Sequence, residues 1–297
     1  MLPNFNPFEL DQMPLLEVAR MAEELGFDAV WVGDHLAFHP PVLEATAALA
    51  AAAAVTERIG LGFAVLLAPM RQPVWLAKSL ATIDQLAPGR LIAGFGVGGE
   101  HPAEWEAAGT EVRQRGRRLD EFLEVLPDLL NGRPVDHRGP DLSVHTPPLR
   151  PPVSKLPPIV IGGRSEAAIR RAARFGDAWL TVWMSPDTIR AAQLRLTAHA
   201  EAAGNSTPET MMVMFVAIGD DQIQVKSDAA RLFAGQYNLP FDAVEKWTVC
   251  GPIESVATQM DEYRDAGVTG FVVIPARPDQ LQQVQALAEV RTAISRT

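Results

Sequence analysis

The sequence predicts an α/β fold of the (β/α)8 barrel type, and three observations carry that prediction. EELGFDAVWV at 23–32, RFGDAWLTV at 174–182 and RDAGVTGFVVIP at 264–275 each pass from an amphipathic helix through a glycine into an apolar strand. The strands are short continuous apolar runs, the pattern of parallel strands buried beneath helices. The alternation persists along the chain, to a total of eight strands and about eight helices. An open doubly wound sheet is the rival arrangement of the same elements. Glycine adopts the left-handed conformation after a helix at little cost, so Gly26, Gly176 and Gly267 are the expected helix stops.

Taken in order, Met1 to Phe5 reads as the end of a first strand, short enough to leave one side of the barrel weakly closed. Pro14 opens a helix to Leu25 with Leu15, Val18, Ala19 and Ala22 on one face, its missing N–H costing nothing in the first turn. Strand 27–32 follows, then a helix over 42–55, a strand over 59–67, and a helix opened by Pro73 that runs to Leu86. Strand 91–95 breaks into Gly96-Val97-Gly98-Gly99-Glu100, and a polar helix over 114–130 carries Pro127, which suggests a kink. From 132 to 158 the prolines preclude regular structure, and a loop of that length reads as an insertion packed over the barrel mouth of a single domain spanning 1–297. Strands at 159–161, 178–182, 211–218 and 271–274 alternate with helices at 166–175, 186–203, 252–267 and 278–294, and the segment 219–248 reads as helical with breaks.

Composition narrows the function. With 297 residues, 47% of them hydrophobic, the chain can bury a large core, and its formal net charge of -10 argues against nucleic-acid binding. One cysteine, Cys250, excludes an intramolecular disulfide or a cysteine-cluster metal site. The alanine-rich tract 45–55 is about half the length of a membrane span, and the first residues have neither the basic nor the apolar region of a signal peptide. These features fit a cytoplasmic protein with no nucleic-acid or membrane partner.

The glycine-bounded strand 27–32 leads directly into Asp34 and His35, at the C-terminal strand end where α/β proteins keep their chemistry. Ile159-Val160-Ile161-Gly162-Gly163-Arg164-Ser165 runs into a helix, so two glycines, a cation and free N–H groups meet at a helix N-terminus, as a phosphate seat requires. A plain turn with Ser165 as helix cap is the competing reading. Gly94-Phe95-Gly96-Val97-Gly98-Gly99-Glu100 matches the dinucleotide fingerprint poorly and suits a backbone lying against a flat ring, or else a tight turn at the rim. His35, His39 and His101 each have loop capping as the plainer reading, no histidine pair has metal-ligand spacing, and Trp179 and Trp183 read as barrel filling.

Together these stretches, with AEELGFDAVWVGDHL at 22–36, RGRRLDEFLEVL at 115–126 and the long segment 55–99, resemble the luciferase-like monooxygenase superfamily and, within it, the deazaflavin-dependent oxidoreductases. The resemblance implies a (β/α)8 barrel of the bacterial-luciferase kind, with a flavin or deazaflavin at its C-terminal rim, commonly as a homodimer. It implies that Asp34 and His35 lie near the ring, with a proton donor there, and that Ala64-Val65 forms a bulge with a cis peptide beneath the ring. Gly96 and Gly98 would approach the ring, and Gly162, Gly163, Arg164 and Ser165 would take the phosphate. Glu100 falls near an acidic position of the family, displaced by an extra glycine.

The implied activity is hydride transfer between coenzyme F420 and a small organic substrate, with Asp34 placed to act on His35. An FMN-dependent monooxygenase using oxygen is the alternative, and a cofactor-free barrel that serves as a binding protein is the rival from another class. No metal is implied.

Overall fold

Parallel strands follow one another round a curled sheet, and helices cover its outside. The structure is a computed structural model describing residues 1–99 and 101–294. In chain order the strands are β1 (Ala29–Val32), β2 (Gly60–Phe63), β3 (Leu91–Phe95), β4 (Val135–Arg138), β5 (Ser143–Thr146), β6 (Ile159–Gly162), β7 (Ala178–Val182), β8 (Glu209–Ile218), β9 (Thr248–Gly251) and β10 (Gly270–Pro275). The main sheet runs β1-β2-β3-β6-β7-β8-β10, with β9 on the upper part of β8, and every pair in it is parallel. This is the predicted (β/α)8 architecture with an open seam. Among the described residues no strand joins β10 back to β1.

Met1 to Asn4 lies in that seam without forming a strand. The Met1 amine donates to Val273 O on β10, and the Leu2 amide donates to Trp31 O on β1 at 2.7 Å. Asn4, fully buried, donates to Gly33 O at 2.9 Å and accepts from Gly33 N at 3.2 Å, fixing the chain at the tip of β1. Below this bridge a cavity of about 370 Å³ separates β1 from β10, with Trp31, Phe271 and Leu287 among its walls.

The helices are α1 (Leu15–Glu24), α2 (Ala45–Ala54), α3 (Pro73–Leu86), α4 (Pro102–Ala107), α5 (Arg115–Leu130), α6 (Glu166–Phe175), α7 (Pro186–Ala203), α8 (Gln222–Tyr237), α9 (Phe241–Val244), α10 (Ile253–Asp265) and α11 (Gln280–Ile294). Their starts carry the expected chemistry. Pro73 sits at the first position of α3, and the Gln72, Ser185 and Asp221 side chains accept from amides of α3, α7 and α8. The amphipathic helices turn apolar stripes to the core, as Val18, Ala19 and Ala22 do in α1 and Leu119, Phe122, Leu126 and Leu129 in α5. Inside the curl, Trp31, Val160, Leu180 and Val272 from four strands pack together, and the Trp31 indole occupies the space a Cβ at Gly62 would fill.

Several expectations are corrected. The proline-rich segment contains regular structure, because β4 and β5 form an antiparallel hairpin whose eight positions avoid every proline of 134–158. The hairpin segment packs on the flank rather than the mouth. Asp141 pairs with Arg117 of α5, His137 with Glu121 of α5, and the Ser154 hydroxyl donates to Asp84 of α3 at 3.1 Å. Gly26 and Gly267 have φ of 75° and 90° as helix stops should, whereas Gly176 caps α6 in an extended conformation with φ -97°. Its need is for space, since a Cβ there would lie 3.0 Å from Ala172 O and 3.1 Å from Ala178 O. Helix α5 continues through Pro127, and both α4 and β9 are additional to the predicted elements.

Candidate active site

At the C-terminal end of β2 the Ala64–Val65 peptide is cis, as the resemblance implies. The bulge turns the Val65 side chain onto Gly94 of β3, Gly96 just beyond it and Gly162 of β6. A Cβ added at Gly96 would lie 2.4 Å from Val65 Cγ2, one at Gly162 would lie 2.8 Å from Val65 Cγ1, and one at Gly94 would lie 1.8 Å from Phe63 O. The Leu66 amide donates to Gly94 O and the Gly96 amide to Leu66 O, each at 2.9 Å. These glycines therefore first seat the bulge. Gly98, with φ 54°, then carries the chain past Leu67.

Asp34 braces the same bulge. Its carboxylate accepts from the Leu67 amide at 2.9 Å and from Arg71 Nη2 at 2.7 Å, while Arg71 Nη1 reaches Glu44 at 2.8 Å. Burial of Arg71 disfavours its charge, but Asp34 and Glu44 outweigh that and raise its pKa above the ordinary value. Asp34 is thus turned to Arg71 and away from the neighbouring histidine. The expectation that it acts on His35 is replaced by a different pairing.

His35 Nδ1 lies 3.0 and 3.1 Å from the two oxygens of Glu104, a side chain with no exposed surface. Glu104 also accepts from the Leu36 amide at 3.1 Å, so one carboxylate fixes both the ring and the loop that carries it. It arrives on α4, which Pro102 starts. The Phe38 ring stacks on His35 with centroids 3.8 Å apart and planes 16° from parallel. With Nδ1 engaged by Glu104, Nε2, without a partner among the described residues, is left for a ligand. A ring oriented in this way can pass a proton to or from a ligand atom.

A cavity of about 280 Å³ lies at this rim. One part is walled by main chain and small groups at Ala64, Val65, Gly96, Gly98, Gly162 and Gly163, and His35 stands on its side. The other part is aromatic. Neither tryptophan fills the barrel as expected: Trp179 alternates with the inward Leu180 and packs among the helix-covered residues, and Trp183 follows β7 with φ 53°, its ring stacked 6.1 Å from Phe215 and Tyr237 meeting both edge-on at 5.8 Å. The Trp183 indole N–H is buried and unpartnered among the described residues, and the exposed Arg164 guanidinium lies 5.6 Å from that ring.

The turn after β6 is partly committed to the fold. The Gly163 amide donates to Leu180 O at 3.0 Å, and Ser165 Oγ accepts from the Ala168 amide at 3.2 Å, the cap of α6. The amides of Arg164, Ser165, Glu166 and Ala167 have no partner among the described residues, and all four residues are exposed. Glu166, in the first turn, is held below the usual carboxylate range, chiefly by the His199 side chain. Glu100 lies outside the described residues. His39 and His101 meet edge-on beside Phe38, and no group of three metal-ligating side chains is found among the described residues. Burial pushes the Cys250 thiol up to about 11, away from thiolate ligand chemistry.

The family model of luciferase-like monooxygenases matches residues 8–242. The chain belongs to the luciferase-like monooxygenase family. Curated relatives within it include an F420-dependent glucose-6-phosphate dehydrogenase of Nakamurella multipartita, 30% identical over 239 residues that cover 75% of this chain and 68% of the relative. A second, from Kineococcus radiotolerans, is 27% identical over 299 residues, covering 90% and 88%. Among solved structures, an F420-dependent secondary alcohol dehydrogenase in complex with an F420-acetone adduct superposes with a TM-score of 0.86 at 22% identity, covering 98% of this chain and 96% of that one. A Streptomyces bottropensis monooxygenase gives 0.84 at 22% identity, covering 97% and 96%. Both likenesses concern the luciferase-like fold. No helix among the described residues is long and apolar enough to cross a membrane.

Proposed function

We propose that this chain is an oxidoreductase that transfers a hydride between coenzyme F420 and a small organic substrate, working in the cytoplasm as a homodimer. The observation that carries the reading is His35, held by the buried Glu104, on the wall of a cavity whose neighbouring wall is the cis Ala64–Val65 bulge with its glycines. The names of the F420-dependent relatives support the choice of cofactor.

The residues suit the group. Gly96, Gly98, Gly162 and Gly163 leave main chain bare for a flat ring, and the four open amides from Arg164 to Ala167 suit its phosphate, with the Arg164 side chain beside them. When bound, the deazaflavin supplies a ring carbon that gives or accepts a hydride. Glu104 holds Nδ1, so His35 keeps Nε2 oriented to protonate a substrate oxygen, or to take its proton in the reverse direction. Asp34 and Arg71 act further back, holding the bulge, and the aromatic wall excludes water.

Titration of the protein with F420, followed by coenzyme fluorescence, and with FMN, followed by absorbance, tests the proposal. Affinity for F420 at least about tenfold above that for FMN is expected, a gap of roughly 1.4 kcal/mol. Tight FMN binding with oxygen-dependent product would favour a monooxygenase, the reading that the superposition on such an enzyme supports. Binding of neither would leave a cofactor-free barrel. Sedimentation of the intact protein as a monomer would remove the dimer.

A further inference from the structure

The cavity has a part that the cofactor reading does not use, and its chemistry points to a substrate class. Phe38, Trp183, Val213, Phe215, Tyr237 and Ile274 line this part, contributed by the loop after β1, the end of β7, β8, α8 and β10. Four of the six are aromatic, and their rings meet one another: Phe38 and Tyr237 edge-on at 5.9 Å, Trp183 and Phe215 stacked at 6.1 Å. Such a surface gains by covering flat apolar groups.

What the lining lacks is equally informative. Among the described residues it contains no lysine or arginine side chain. Asp34, its one carboxylate, is already matched by Arg71. Arg71 is committed to Asp34 and Glu44, and Arg164 is exposed at the rim over the Trp183 ring, on the turn that the proposed function gives to the cofactor phosphate. A phosphorylated or carboxylate substrate would therefore surrender its hydration to apolar rings without gaining a countercharge. The polar groups of the lining are uncharged or matched: Gln236 donates to the Tyr237 hydroxyl and Thr181 to the Met184 sulfur, while His35 Nε2 and the buried Trp183 indole N–H, unpartnered among the described residues, are open to a ligand acceptor or donor.

We infer that the substrate is an uncharged alcohol or carbonyl compound bearing a flat apolar ring, with its reacting oxygen toward His35, and that Trp183 is a specificity-determining residue. The inference rests on the oxidoreductase reading. In the oxidative direction the substrate carbon loses hydride to the oxidised deazaflavin while its hydroxyl proton passes to His35, giving a ketone or aldehyde; reduction is the reverse.

The test measures binding by calorimetry on the intact protein, with acetophenone as the neutral probe and glucose 6-phosphate as the anionic one. F420 is titrated separately, so absence of F420 binding would fail the cofactor reading whatever the ketone does. Acetophenone should bind saturably and glucose 6-phosphate should not at the same concentrations. Trp183→Ala and Phe38→Ala should each weaken acetophenone by roughly tenfold, the loss of part of an aromatic contact; far-ultraviolet circular dichroism establishes that each variant is folded. Glucose 6-phosphate binding equal to or tighter than that of the ketone, no ketone binding at millimolar concentration, or ketone affinity unchanged in both folded variants would overturn the inference.

Discussion

Arg71 Nη2 donates to Asp34 Oδ1 at 2.7 Å, and through this pair the loop after the cis peptide is tied to the strand end that carries His35. The Asp34 side chain is 1% exposed and that of Arg71 26%, so the attraction is poorly screened. Asp34→Asn keeps the shape, removes the charge and leaves the guanidinium with Glu44 alone. Unfolding in urea should show a loss of about 2 to 4 kcal/mol. A loss below about 0.5 kcal/mol would mean that the pair is no brace.

His35 and Glu104 should behave as one unit. We expect His35→Ala to lower turnover about 100-fold and Glu104→Gln, which keeps an oxygen for the Leu36 amide, to lower it by less. The double variant should be no slower than His35→Ala, because Glu104 acts through the ring. F420 affinity should stay within about threefold of wild type in both single variants. Additive losses in the double variant would separate the two roles.

Gly96 is required by Val65. Gly96→Ala would bring a Cβ to 2.4 Å from Val65 Cγ2, an overpacking that should destabilise the fold by about 1 to 3 kcal/mol. Adding Val65→Ala should restore part of this, since the clashing methyl is then absent. Gly89, with nothing within 4 Å of the same added atom but φ 73°, gives the comparison: Gly89→Ala should cost only the backbone strain, about 1 kcal/mol. Thermal melts of the four proteins decide the order.

The buried Met1 amine carries a pH dependence. Its pKa falls from 8.0 to about 5 on folding because burial disfavours the charge. Between those values the unfolded chain holds more protons than the folded one, so stability must fall as pH is lowered from 8 toward 5 and change no further below that. For a polypeptide beginning at Met1 this loss is on the order of 4 kcal/mol. Denaturation of the free-amine and N-acetylated proteins across this range measures it as the difference in slope. Parallel curves would place the amine in water.

The fold was readable where one period dominated. The glycine-bounded strand at 27–32 announced the Asp34-His35 tip, and the turn after Ile161 announced itself by two glycines before a capped helix. Partners distant in sequence left no such mark. Glu104 sits in a six-residue helix, 69 residues from the histidine it holds, with nothing in its surroundings to separate a buried carboxylate from a solvated one. Pro102 at the first helical position was the available signal for that helix. Trp183 continues the alternation of β7, but the strand stops at Val182 and the backbone turns left-handed, which sends the indole to the mouth. Proline counting obscured the β4–β5 hairpin because the prolines flank its strands without entering them.

The seam between β1 and β10 has a bearing on how the pocket is closed. Met1 lines both the cavity in the seam and the one beside His35, so it is a partition shared by two chambers. Among the described residues, the facing edges of β1 and β10 are spanned there by the hydrogen bonds of Met1 to Val273 O and of Leu2 to Trp31 O. Met1 and Leu2 thus keep the two chambers apart, and this side of the pocket is closed by side chains and hydrogen bonds where the rest of the sheet is closed by strand pairing.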